Sequence, residues 1–448
     1  MTGSAIGGSN ISNNTVFNLT NTNTTVAGFV QGMIFGTALF PQQNTTISRN
    51  FVHSLNVASP TGGMAGINLP NTGNARVFNN MVRLGVDANG ASIITSAQIN
   101  GILKQSTGAM SIFANTVFIG GTGVTSNAVN TFAFRRTASP LVGNDSIMNN
   151  IFYNARSNAS GTGKHYATAL NASNLLASDF NDLYVDGVGG VLGLFVAADA
   201  ANLAAWQTAA NQDWNSVSGD PKLINPNGTS ANLDLHIQAA SATVIEQGGY
   251  NLPPLTLDFD LQTRASLTPV DIGADAGNFL LLDKTPPAIY YTNLLYTCGT
   301  GDRTLTGVNI TDATGIPLVG ALRPRIYYKK NAGAYFSQPG TNTGGTAFNS
   351  TWDFTIVAAD MGGLVAGDMV SYYIIAQDNA APINIGSNPG GAVATDVNTV
   401  TIHPTTPNIY TINATSLNGT YTVGVGGAYA TLTAAVSAYN TACITGPV

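Results

Sequence analysis

One hydrophobic–polar pattern returns along the first part of the chain at intervals of 29 to 36 residues. It reads Ile11-Ser12-Asn13-Asn14-Thr15-Val16, Ile47-Ser48-Arg49-Asn50-Phe51-Val52, Val77-Phe78-Asn79-Asn80-Met81-Val82, Ile112-Phe113-Ala114-Asn115-Thr116-Val117 and Ile147-Met148-Asn149-Asn150-Ile151-Phe152. Leu176-Ala177-Ser178-Asp179-Phe180 closes the series, which puts Asn14, Asn50, Asn80, Asn115, Asn150 and Asp179 in one aligned position. Each is preceded three residues earlier by an aliphatic side chain and followed two later by Val or Phe, except at Asn181. In a flat strand, residues three apart face opposite sides, so for both to face inward the chain must bend at the Asn. Asn tolerates the left-handed region, and its amide both donates and accepts. Stacked repeat on repeat, these side chains are expected to form a hydrogen-bonded ladder.

Further β-type runs lie between the ladder positions, at Thr25–Met33, Met64–Leu69, Ala91–Leu103, Asn127–Phe134 and His165–Leu170. Repeats of this size mean a solenoid, propeller or array. A leucine-rich repeat lacks its pattern here, and four propeller strands barely fit in one repeat, so the prediction is a parallel β-helix. After residue 188 the pattern changes. Ala198–Gln207 has helical spacing that includes Leu203 and Trp206, and residues 188–282 read as the cap that closes the last open strand edge.

In that stretch the chain resembles the secreted bacterial right-handed parallel β-helix proteins. The resemblance rests on Trp206-Gln207, Asp220-Pro221, Asp234-Leu235-His236-Ile237, Asp258-Phe259-Asp260-Leu261-Gln262-Thr263-Arg264 and Asp271-Ile272-Gly273-Ala274-Asp275. Leu261 and Ala276 depart from the commoner Gly and Glu. The resemblance covers about the first 280 residues and implies an exported, pectate-lyase-like solenoid, without fixing an activity.

The two prolines of Asp283-Lys284-Thr285-Pro286-Pro287 mark a linker. Short alternating runs follow at Ala288–Tyr296, Arg303–Thr311, Arg325–Lys330, Trp352–Val357, Met369–Ala376 and Val397–His403, the pattern of an immunoglobulin-like β-sandwich. Tyr372–Asn379 resembles a strand of the fibronectin-like modules in large Bacteroidetes surface proteins, which implies a spacer or adhesive role. Beyond residue 411, a strand at Gly419–Gly424 and a helix at Tyr429–Tyr439 with Thr431 as its N-cap read as the opening cap of a second β-helix. The expected organisation is therefore all-β: a right-handed parallel β-helix over 1–282, a sandwich over 283–410 and the start of a second solenoid over 411–448.

Composition narrows the function. Charged residues make up only 8% of 448, and the net charge is −6, so nucleic acid is not expected as a partner. Residues 1–178 hold eight Lys/Arg against two Asp/Glu, a basic excess that suits acidic glycans. The longest apolar run, Val188–Ala198, is too short to span a bilayer. Thr2-Gly3-Ser4 opens directly into repeat-like sequence without a signal peptide, so the parent protein is expected to be longer. Cys298 and Cys443 fall in different predicted domains, and no disulfide is expected.

Chemistry is sparse. A polysaccharide lyase needs a base and a cation to neutralise a uronate, for which Arg135, Arg136, Arg156, Lys164 and His165 are the candidates. With only Asp87 and Asp145 among residues 1–178, a two-carboxylate glycosidase built there is disfavoured. Asp258, Asp260, Asp271 and Asp275 are the candidate Ca²⁺ ligands, although turn hydrogen bonds explain them equally well. The expectation is a non-catalytic extracellular or cell-surface adhesion scaffold that contacts polysaccharide, with a lyase acting on acidic glycans as the alternative and a phage tailspike as a third reading.

Overall fold

The computed structural model describes residues 8–36, 42–125, 129–253, 255–267, 270–413, 416–444 and 446–448. Thr2–Ser4 and Asn127 of the sequence reading lie outside them. The chain divides into two compact units, Met1–Leu282 and Asp283–Val448.

The first unit is a β-solenoid of three parallel sheets. Asn10–Ser12, Thr46–Ser48, Ala75–Phe78, Met110–Phe113, Asp145–Met148 and Leu176–Asp179 stack as the first sheet. Thr15–Phe17, Phe51–His53, Met81–Leu84, Thr116–Ile119, Ile151–Asn154 and Asp182–Val185 form the second. The third runs from Phe29–Ile34 through Gly63–Leu69, Gln98–Lys104, Thr131–Arg136 and His165–Leu170 to Gly190–Phe195, with Ala198–Ala200 folded back antiparallel on its edge. Like residues lie over like: Ile11, Ile47, Val77, Ile112 and Ile147 form one inward column, and Val16, Val52, Val82, Val117 and Phe152 another.

A ladder joins the first two sheets. Nδ2 of Asn14, Asn50, Asn80 and Asn115 donates to Oδ1 of the next Asn up the stack at 2.9 Å. From Asn50 on, each amide also donates back one coil, to the carbonyls of Ile11, Ile47, Val77 and Ile112. Two expectations need correction. The bend falls one residue before the rung: Asn13, Arg49, Asn79, Ala114, Asn149 and Phe180 take the left-handed conformation, with φ between 47° and 58°. The sixth rung is Asn181, which accepts from Asn150 Nδ2 at 3.0 Å. Asp179 pairs with Met148 instead and caps a turn by accepting from Asn215 N at 2.6 Å and Asn215 Nδ2 at 2.7 Å. The true register puts Ser178 below the aliphatic column, and the apolar Leu176 imitates the expected spacing two residues early.

The end of the solenoid is closed by α1 (Leu203–Ala210), capped by the Asn202 side chain on Ala205 N at 3.0 Å. Its Trp206 is fully buried in the solenoid core, over Gly193, where any Cβ would lie 2.1 Å from the ring. Residues 219–282 do something else. Leu223, Leu235, Ile237, Ile245, Ile272 and Ala274 pack on Met81, Phe118, Ile151 and Tyr153, so this stretch is a flap along the outer face of the second sheet rather than an end cap. Asn79 Nδ2 donates to Leu257 O at 2.6 Å and Asn149 Nδ2 to Tyr250 O at 2.7 Å, so the left-handed Asn of these coils holds the flap while its neighbour holds the ladder.

In the second unit, one antiparallel sheet contains Ala288–Tyr290, Arg303–Thr311, Asn349–Ile356 and Thr341–Thr346. The other contains Phe336–Pro339, Arg325–Lys330, Met369–Gln377 and Ile385–Asn388, with Asn408–Thr411 also paired to Met369–Gln377. The two sheets share one core around Trp352, Phe354, Tyr328, Tyr372 and Ile326. Residues 411–448 belong to this unit, with α2 at Leu432–Thr441 and a parallel pair, Ser416–Leu417 on Cys443–Ile444. The cysteine expectation is also corrected. Cys298 and Cys443, 145 residues apart, form a disulfide with a Cα–Cα distance of 5.5 Å. No helix among the described residues is long and apolar enough to cross a membrane.

Candidate functional site

The basic residues predicted for catalysis do not converge. Arg136 is buried, its Nε 2.7 Å from Asp145 Oδ2, with Lys104 Nζ 3.0 Å from the same oxygen. Its remaining nitrogens donate to Ala172 O at 2.8 Å and Asn174 O at 3.1 Å. Asp145 also accepts from Met110 N at 3.0 Å. This buried cluster ties together the loops that leave the third sheet in successive coils. Burial lowers the Lys104 pKa against the attraction of Asp145.

Arg156 is equally buried and donates to Ile93 O at 2.7 Å and Thr95 O at 3.2 Å, stapling an upstream loop. Burial lowers its pKa to about 10. His165 Nε2 lies 3.0 Å from Asn158 Oδ1, and its Nδ1 lies 2.9 Å from Thr131 Oγ1. Those partners suit a neutral ring, with Nε2–H donating to the amide oxygen and the Thr131 hydroxyl donating to Nδ1. Burial, reinforced by the nearby Arg156 charge, holds His165 at about 4. It is a buried structural imidazole rather than a base poised near neutrality.

On the outer face of the third sheet, Arg135 lies over the Phe132 ring at 4.5 Å, and Phe132 stacks on Tyr166 at 5.3 Å. Tyr166 donates to Asp199 at 2.8 Å, and Lys164 pairs with the same carboxylate. Each of the five candidates therefore has a local partner or packing role.

The four aspartates predicted for Ca²⁺ separate likewise. Asp258 accepts from Gln262 N at 2.7 Å, and Asp271 from Gly277 N at 2.9 Å, so both fold the flap's own backbone. Asp260 and Asp275 meet at His236, which the sequence offered within a motif but not as a ligand: its Nε2 lies 2.8 Å from Asp260 and its Nδ1 2.6 Å from Asp234. Burial pulls the His236 pKa down, but Asp234, Asp275 and Asp260 outweigh it and raise it. One ligand atom each from His236, Asp260 and Asp275 lies within 4.8 Å of the others. This mixed nitrogen–oxygen set suits a transition metal better than Ca²⁺. An all-oxygen set, Asp283, Asp312 and Asp378, meets the same distance test in the second unit, but Asn384 already donates to both carboxylate oxygens of Asp378 at 2.7 and 2.6 Å.

The residue most clearly missed is Asp213. It terminates the ladder, accepting from Asn181 Nδ2 at 3.0 Å, Ser216 Oγ at 2.8 Å, Ser178 Oγ at 3.0 Å and Trp206 Nε1 at 2.8 Å. Burial raises its pKa, and these donors oppose the rise. Its position seven residues after Trp206 is the only sequence hint. Comparison with protein-family models, curated proteins and solved structures finds no match.

Proposed function

We propose that this protein is a non-catalytic extracellular or cell-surface scaffold of the adhesion type. It pairs a right-handed parallel β-helix with an immunoglobulin-like sandwich and touches glycan through its surface. The observation that carries this reading is the internal use of the lyase candidates: Arg136, Arg156 and His165 are buried and bonded, and Lys164 is paired. A uronate-neutralising site needs cations free to meet substrate, so their commitment favours a structural role. The Cys298–Cys443 disulfide supports an oxidising compartment.

Residues 411–448 fit the opening turn of a further solenoid within a longer multidomain protein. Their two strands pair in parallel, and α2 leaves Leu432, Val436 and Tyr439 exposed. The test is a panel of polyuronates followed by absorbance of unsaturated sugar products. No turnover is expected, whereas turnover abolished by Lys164→Ala would replace the scaffold with a lyase.

A further inference from the structure

The start of the third sheet contains a pocket that the scaffold's own structure does not use. Phe29, Gly63 and Gln98 occupy one register position in three successive coils. Strands of a stack are about 4.8 Å apart, so a glycine between an aromatic ring and an amide leaves a notch one residue wide. Gly63 N donates to Gly28 O at 3.0 Å and Gln98 N to Gly62 O at 3.1 Å, which fixes the backbone beneath it. The Phe29 ring occupies part of that notch: a Cβ on Gly63 would stand 2.5 Å from its Cε2. The ring remains 45% exposed. Pro60, Thr61, Ser96 and Val129 complete a cavity of about 330 Å³, near the lower end of small-molecule sites.

The polar groups here differ from the amides of the ladder and the turns. The ladder amides, Asn79, Asn149 and Asn158 all hold backbone or side chains. The Ser96 hydroxyl and the Gln98 side-chain amide have no hydrogen-bond partner among the described residues. Among the described residues no charged side chain lines the cavity, so a carboxylate or ammonium ligand would be desolvated there without a counter-charge. An aromatic face beside an uncommitted amide and hydroxyl instead matches a pyranose, which offers an apolar C–H face and a rim of hydroxyls.

We propose that this pocket binds one ring of an uncharged saccharide, with Phe29 beneath the ring and Gln98 and Ser96 on its hydroxyls. The proposal rests on the glycan-contact reading above and makes it specific to a neutral sugar. Saturation-transfer NMR on the full chain, with D-glucose, D-galactose, D-mannose, N-acetyl-D-glucosamine and D-galacturonate as probes, tests it. At least one neutral sugar should receive saturation. Binding should weaken about tenfold in Phe29→Ala and in Gln98→Ala, but not in Phe17→Ala, which removes an exposed ring from the second sheet. Phe29 is exposed and Gln98 half-buried, and unchanged thermal melts will show that the variants fold.

A neutral-sugar signal that survives both substitutions overturns the pocket and leaves glycan contact standing. A response to galacturonate alone overturns the uncharged class. Silence from all five sugars overturns the pocket, and silence from a panel of long glycans as well removes the glycan reading with it.

Discussion

At the scale of single residues, the ladder is a directional chain of amides ending on an anion. Each rung donates one N–H of its amide to the next rung up the stack, and the last, Asn181, donates to the Asp213 carboxylate. A carboxylate accepts only, and it faces two obligatory donors, the Trp206 indole and the Asn181 amide. Asp213→Asn must turn an NH₂ toward one of them, leaving a buried donor without an acceptor at a cost of about 1–3 kcal/mol. Urea unfolding should register that loss, whereas an unchanged midpoint would mean that the ladder's end is not stabilised by the charge. Asp213 was invisible in the repeat because it lies outside the periodic grammar. The rungs Asn14 to Asn150 were legible because hydrogen bonding and side-chain packing select the same residue in every coil. Asp179 was misread because a chance apolar residue, Leu176, outweighed a register that only strand pairing defines.

At the scale of elements, the flap was the hardest part to place. Asp271–Asp275 describes a turn equally well at the end of a solenoid or along its side, so the motif alone could not decide. The decisive signal lay in the partner strands. Met81-Val82 and Thr116-Val117-Phe118-Ile119 are buried on both faces, and such strands read as continuous rather than alternating apolar runs. The flap also brings carboxylates into a dry interface. Burial, aided by Glu246, raises Asp271 to about 7, and burial raises Asp275 to about 6. A carboxyl whose folded pKa is raised binds more protons folded than unfolded, so it stabilises the fold in acid and loses that contribution as pH rises through about 7. Burial holds His53 and His165 at about 4, which acts oppositely: stability falls as pH drops from about 6.5 toward 4. Asp271→Asn keeps an acceptor for Gly277 N and removes the charge, so its melting temperature should exceed that of the parent at pH 8, and the offset should shrink as pH falls toward about 4. An equal offset at both pH values would show that ionisation of Asp271 does not destabilise the flap.

At the scale of the whole molecule, the two units use different means of closure. The solenoid buries a continuous column of aliphatics and plugs it with Trp206. The second unit encloses its core between two antiparallel sheets and holds residues 411–448 by fewer attachments. These include hydrogen bonds from Thr297 N to Thr411 O at 3.0 Å and Asn413 N to Thr297 O at 2.8 Å, together with the disulfide. That disulfide was not legible because neither cysteine lies in a recurrent spacing, and only the fold brings loop and terminal strand together. Its closed loop is long, for which the chain-entropy contribution is greatest, about 5 kcal/mol. Here the cross-link should stabilise chiefly the segment it anchors, because α2 presents an apolar stripe that gains little from water. Cys298→Ser with Cys443→Ser should therefore expose sites between residues 411 and 448 to limited proteolysis while residues 283–410 persist and the solenoid's melting temperature is unchanged. Intact-mass analysis of the digests reads this directly. If the terminal segment resists cleavage as well without the disulfide as with it, its backbone and packing contacts are sufficient, and the cross-link serves some purpose other than local anchoring.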